Sequence, residues 1–182
     1  MRFPSRKPCE AAGRRRALYW LAGLPLALAA CGRDARRSPA GQALPDLEFP
    51  DFAGQAHRLR EYAGGPLLIN VWATWCPPCR GEMAGLERLY RELRPAGLAI
   101  VGICADSDLN LAREYLRQAD LSFPIRSDPG GRAMAALLGT PAIPATLLVS
   151  RDGVIRRIEI GEREWDRGEA RGWARELLQP GA

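Results

Sequence analysis

Trp75-Cys76-Pro77-Pro78-Cys79 decides the fold. Its two cysteines, two residues apart, follow an apolar run (Leu67, Leu68, Ile69, Val71, Trp72) and precede a helical pattern. That order is a strand feeding a helix, with a dithiol at the join. A helix N-terminus carries unsatisfied N–H groups and about half a positive charge, so it favours a thiolate there. The thiolate is the nucleophilic form of cysteine. The spacing therefore points to a reversible dithiol–disulfide pair. An inert disulfide and half of a zinc site are the alternatives. Zinc needs two more ligands at metal spacing, whereas Cys9, Cys31, Cys104 and His57 are scattered along the chain.

Outward from the motif, the elements follow from periodicity. Pro66 to Trp72 reads as a strand buried on both faces. Met83, Leu86, Leu89, Tyr90 and Leu93 recur at three- and four-residue spacing, the apolar face of a helix from Pro77 to about Leu93. Pro95 and Gly97 end it. Leu98 to Cys104 is a second buried strand, in which Cys104 serves as a small apolar residue. Asp106, Ser107 and Asp108 are N-cap candidates for a helix whose face is Ala112, Tyr115, Leu116 and Ala119. Ser122 to Ile125 is a short extended piece, and Gly130-Gly131 opens a short helix holding Met134, Leu137 and Leu138. The proline-punctuated loop Thr140 to Ala145 leads into a strand over Thr146–Val149. Arg151-Asp152-Gly153 is a hairpin turn, and the returning strand carries Arg156, Arg157 and Glu159, marks of a sheet edge. A terminal helix is expected over 163–178, with Trp165, Ala170, Trp173, Ala174 and Leu177 near one side. Ahead of all this, Leu47, Phe49, Phe52 and Ala53-Gly54 suggest a short hairpin, with His57 as a structural residue. The alternation predicts an α/β fold with a mixed central β-sheet flanked by helices. Active loops in such sheets lie at strand C-termini, where Cys76 falls.

The 182 residues carry a formal net charge of +5. Residues 1–30 hold six basic side chains against Glu10, which accounts for all of it. The remainder is neutral, so the charge gives no reason to expect nucleic acid as a partner. Lys7 is the only lysine, a composition bias without functional content. Met1 to Arg16 is a basic leader, and Ala17 to Ala30 is an apolar stretch too short to span a bilayer comfortably. The pair fits a secretory signal with small residues at its end. Arg14-Arg15-Arg16 lacks the flanking residues of a twin-arginine signal, which favours Sec export. Leu28-Ala29-Ala30-Cys31 resembles the lipobox of bacterial lipoproteins, which implies cleavage before Cys31 and lipidation of its thiol. A plain signal peptide and an uncleaved anchor are the alternatives. Gly32 to Leu44 is polar, contains Gly and Pro, and lacks an apolar period, as expected of a tether. The reading divides the chain into a signal (1–30), a tether (31–44) and a folded domain (45–182). An exported location makes a redox-active cysteine pair chemically reasonable.

The segment Asn70-Val71-Trp72-Ala73-Thr74-Trp75-Cys76-Pro77-Pro78-Cys79-Arg80-Gly81-Glu82 resembles the active-site segment of the TlpA/ResA-like thioredoxin-fold proteins. Ile143-Pro144-Ala145-Thr146 resembles their cis-proline loop. The resemblance covers about Pro45 to Leu178. It implies a thioredoxin-like fold, an extracytoplasmic lipid-anchored protein on the periplasmic side, and thiol–disulfide exchange without a prosthetic group. It also implies disulfide-containing envelope proteins as partners, cytochrome c maturation among their settings, and a membrane or periplasmic electron donor.

Within that family reading, Cys76 is the helix N-cap and exposed nucleophile, and Cys79 the buried resolving thiol. Pro77 and Pro78 sit where fixed φ is tolerated, and they remove two N–H donors, leaving that of Cys79 nearest the Cys76 sulfur. Trp75 shields the site or fills core. Glu82 lies one helical turn past Cys79. If buried, its pKa rises and it exchanges protons with Cys79; otherwise it is a solvated helix carboxylate or an ion-pair partner for Arg80 or Arg88. A cis Pro144 leaves the Ile143 backbone free for an extended partner segment; a trans loop proline is the alternative. The alternatives are a non-enzymatic binding module, such as a copper or haem chaperone, and a peroxide-reducing enzyme. Copper chaperones of this fold class use CxxxC with a downstream histidine, whereas the spacing here is CxxC and no histidine follows it. A peroxide-reducing enzyme places one reactive cysteine in a Thr-x-x-Cys setting, which the dithiol argues against.

Overall fold

Six residues in a row, Leu67–Trp72, are buried and form β3, the central strand of a five-stranded sheet. The computed structural model describes residues 39–179. The expected signal, Cys31 and most of the expected tether lie outside them. Elements run in the order β1 (Glu48–Pro50), β2 (Ala56–Arg58), β3, α1 (Pro77–Leu93), β4 (Ala99–Cys104), α2 (Leu109–Gln118), β5 (Ile125–Ser127), α3 (Arg132–Leu138), β6 (Ala145–Val149), β7 (Ile155–Ile160) and α4 (Gly168–Glu176). Short 3₁₀ turns occupy Leu59–Tyr62 and Arg94–Ala96.

The sheet order is β5-β4-β3-β6-β7, with β3 parallel to β4 and antiparallel to β6. It is the mixed sheet that the alternation of elements predicts. Successive side chains of a strand point to opposite faces, and β3 divides accordingly. Leu68 and Trp72 join a cluster with Met83, Leu86 and Leu89 of α1 and Ala170 and Ala174 of α4. Leu67, Ile69 and Val71 join another with Met134 of α3 and Phe49 of β1. Burying each such aliphatic side chain contributes roughly 1.5–3 kcal/mol, so the apolar run holds the sheet between two layers. Asn70, alone in it, points to the α1 side and is fully buried.

Three boundaries differ from the sequence reading. The folded chain extends ahead of Pro45: Gly41 N–H donates to Ile155 O at 2.7 Å, Ile155 N–H to Gln42 O at 2.9 Å and Leu44 N–H to Gly153 O at 2.8 Å. The start of the edge strand β7 has free backbone groups, and this segment pairs with them. The extended piece forms at Ile125–Ser127 rather than at Ser122, because Glu87 takes the Ser122 N–H at 2.8 Å and its hydroxyl at 2.6 Å. The last helix starts at Gly168, and residues 163–167 are irregular because two of their donors are directed at Glu82.

Candidate active site

The N-terminus of α1 presents the dithiol as the sequence requires. Cys76 is the N-cap (φ −100°, ψ 100°), with Pro77 and Pro78 at the first two helical positions. Its Sγ accepts the Cys79 N–H at 3.3 Å. Cys76 and Cys79 are joined as a disulfide, with Cα atoms 5.3 Å apart. In the reduced protein the same N–H and the helix dipole favour a thiolate on Cys76. One expectation is corrected: Cys76 is only 5% exposed, and Cys79 is wholly buried. Both sulfurs belong to the apolar cluster that includes Trp72, Ala73 and Ala105.

Trp75 is 65% exposed, so it is not core filling. It lines a groove with Val71, Ala105, Met134, Leu138 and Ile143. The Ile143–Pro144 bond is cis. Pro144 O is anchored by Gly161 N–H at 2.8 Å, while the Ile143 backbone makes no hydrogen bond to another described residue. The structure thus sets Trp75 and Ile143 along one groove, beside the loop that carries the dithiol.

Glu82 is buried, and neither Arg80 nor Arg88 pairs with it; Arg88 binds Asp166 instead. Its Oε1 accepts from Asn70 Nδ2 at 2.7 Å, and its Oε2 from the Arg163 N–H and the Trp165 indole N–H, both at 3.1 Å. Burial is the largest influence and lifts its pKa above the usual 4.5. The three hydrogen bonds oppose this, and the charge of Glu162 adds to it.

Asp106 carries a role the sequence reading missed. Its position makes it a cap candidate for α2, but Asp108 fills that place, accepting from Asn110 N–H at 2.9 Å. Asp106 is instead buried, and it holds Thr74, two residues ahead of Cys76. The Cys104 thiol donates to it at 3.1 Å. Burial, and then that contact, push the Cys104 pKa far up, so this thiol is inert. His57 lies between Asp51 and Glu61 at 3.4 and 3.2 Å, a satisfied surface residue. Among the described residues no group of three His, Cys, Asp or Glu side chains is placed to hold a metal.

A thioredoxin-like sheet with a redox disulfide where its central strand enters a helix defines the class: the chain is a thiol–disulfide oxidoreductase. Residues 40–158 match the AhpC/TSA family, and the chain belongs to that family. Its relatives include the thiol-disulfide oxidoreductase ResA of Halalkalibacterium halodurans, 31% identical over 128 residues, which are 70% of this chain and 72% of that protein. The thioredoxin-like protein YneN of Bacillus subtilis is 34% identical over 124 residues, 66% of this chain and 71% of that one. Among solved structures, a secreted thiol-disulfide isomerase from Corynebacterium glutamicum superposes with a TM-score of 0.67 at 26% identity, covering 74% of this chain and 84% of that one. A thiol:disulfide interchange protein from Chlorobium tepidum gives 0.64 at 24% identity, covering 80% and 99%, and shows the shared fold alone.

Proposed function

We propose that the protein is an exported reductant, lipid-anchored at Cys31 on the periplasmic side of a bacterial membrane, that reduces disulfides of envelope proteins. The setting implied by the ResA likeness is cytochrome c maturation. The observation that carries the reducing role is Glu82, a carboxyl group buried one helical turn beyond Cys79, whose pKa burial lifts above the usual 4.5. The basic leader, the apolar stretch and Leu28-Ala29-Ala30-Cys31 support the location.

The Cys76 thiolate attacks one sulfur of the partner's disulfide. A mixed disulfide forms, and the partner's other sulfur leaves as a thiolate that takes a proton. The Ile143 backbone holds the partner segment, and Trp75 borders it. Cys79 then loses its proton to Glu82 and attacks Cys76 Sγ, and the second partner sulfur departs as a thiolate that takes that proton from Glu82. Two electrons have passed: the partner is a dithiol and the enzyme a Cys76–Cys79 disulfide. A membrane or periplasmic donor restores the reduced pair.

The test is covalent trapping with full-length Cys79→Ser in cells. Mixed disulfides on Cys76 are expected, released by dithiothreitol and lost in the Cys76→Ser/Cys79→Ser double variant. If Cys76 captures nothing, the exchange mechanism fails. Cys31→Ser is expected to lose lipid label and leave the membrane fraction; unchanged membrane association and labelling would refute the anchor.

A further inference from the structure

The carboxamide of Asn70 is fully buried in the middle of β3. Its Nδ2 donates twice, to Glu82 Oε1 at 2.7 Å and to Thr146 Oγ1 at 3.0 Å. Its Oδ1, equally buried, has no hydrogen-bond partner among the described residues. Folded proteins rarely leave a buried amide oxygen unpaired. The two ends of the carboxamide, donor and acceptor, exchange places on a half-turn about its last bond.

The two oxygens of Glu82 are not equivalent. Oε2 meets the Arg163 N–H and the Trp165 indole N–H. Both groups are donors only, so a proton on Oε2 displaces one of them. Oε1 meets only Asn70. A proton arriving at Glu82 therefore settles on Oε1, where it faces Nδ2, donor against donor. A half-turn of the carboxamide resolves the conflict. Oε1–H then donates to Oδ1, and the Thr146 hydroxyl, which accepted before, donates to Oδ1 as well. Each arrangement has two hydrogen bonds and leaves one amide atom unpaired, Oδ1 in the first and Nδ2 in the second. The exchange costs no net bond.

We infer that Asn70 is a positioning residue whose carboxamide turns over with the proton on Glu82, and that the Thr146 hydroxyl reverses with it. The inference rests on Glu82 being the acid–base partner of Cys79. Thr146 lies two residues past Pro144, so the charge state of a group on α1 is carried into the strand leaving the partner-binding loop. Other charges leave Asn70 in control. Arg163 offers Glu82 only its backbone, its guanidinium being on Glu159 at 2.9 Å. Glu162 repels the ionised form, and Cys79, on the same helix, is held in the disulfide. After burial, the Asn70 hydrogen bond is the largest influence on the Glu82 carboxyl group.

The test uses the isotope-labelled full chain in detergent, kept as the disulfide so that neither Cys76 nor Cys79 titrates. NMR follows the Glu82 carboxyl signal, assigned with Glu82→Gln, and the Asn70 side-chain amide signals against pH. Both are expected to move with one shared midpoint. Asn70→Leu removes the bond to Glu82 from both states, and the bond to the ionised carboxylate is the stronger, so the Glu82 midpoint is expected to rise by about one pH unit, a roughly tenfold tighter hold on the proton. Thr146→Val removes one bond from each state and is expected to leave the midpoint within about 0.3 unit. Amide signals that stay flat through the Glu82 titration would overturn the inference. So would a Thr146→Val midpoint moved by a full unit, since the Thr146 hydroxyl would then serve one charge state only. Neither result touches the role of Glu82 itself, which fails instead if Glu82→Gln leaves the pH profile of thiol alkylation unchanged. If Asn70→Leu does not fold, the amide signals and Thr146→Val decide the matter.

Discussion

Asp106 holds both donors of Thr74: the backbone N–H reaches Oδ2 at 2.9 Å and the hydroxyl reaches Oδ1 at 2.5 Å. The carboxylate is buried, so removing it strands these donors and the Cys104 thiol. A stranded group costs about 1–3 kcal/mol where it is buried, as Cys104 is, and less at the half-buried Thr74. Asp106→Ala is expected to lose about 3 kcal/mol in urea unfolding and to loosen Trp75, seen as lower fluorescence anisotropy. Asp106→Asn, which keeps an acceptor, is expected to lose about 1 kcal/mol. Wild-type stability in the alanine variant would show that the clamp is not needed.

Glu82 makes stability fall as pH rises. Its folded pKa lies above the usual 4.5, so the folded protein holds the proton more tightly than the unfolded chain. That contribution is fully present below about pH 4.5 and is lost as pH climbs through the folded value. Glu82→Gln stays neutral and escapes the loss. Denaturant curves at successive pH values are expected to show the variant gaining on wild type above pH 4.5. Parallel curves would contradict the raised pKa. The same variant is expected to alter the pH profile of Cys79 alkylation.

Pro78 withholds a donor from the catalytic sulfur. An N-cap side chain normally accepts from the second or third helical N–H, and here only the third is available. Pro78→Ala supplies the second. The Cys76 thiol pKa is expected to fall by about one unit in the reduced protein. Thiolate absorbance against pH measures it; an unmoved titration would mean the helix field alone sets the thiol.

Gly102 leaves no room for a side chain. A Cβ there would lie 2.6 Å from Ile125 Cδ1 and 3.2 Å from Trp72 Nε1. Gly102→Ala is expected to destabilise by about 2 kcal/mol, read from the urea midpoint. Because Trp72 ends the strand that feeds the dithiol loop, slower insulin reduction is expected as well. A neutral substitution would mean that the end of the Ile125 side chain turns aside freely.

The order of elements and the dithiol were legible because both are local. Two buried strands read as apolar runs, and α1 shows its face and its proline start in the sequence. The buried polar groups were harder. Asn70 interrupts an apolar run, a visible signal, yet its partners lie 12 and 76 residues away. Trp165 fits the periodicity of the last helix, but tertiary contact wins: its indole N–H is needed by Glu82, and the backbone stays irregular to deliver it. Asp106 sits among three cap candidates, and only the fold shows that it faces Thr74.

Cys76 is 5% exposed beside a tryptophan that is 65% exposed. So little open sulfur means that access to the pair, and not only its potential, sets how fast a thiol reaches it, and the exposed Trp75 ring and the groove it lines with Ile143 are the surface a polypeptide meets first.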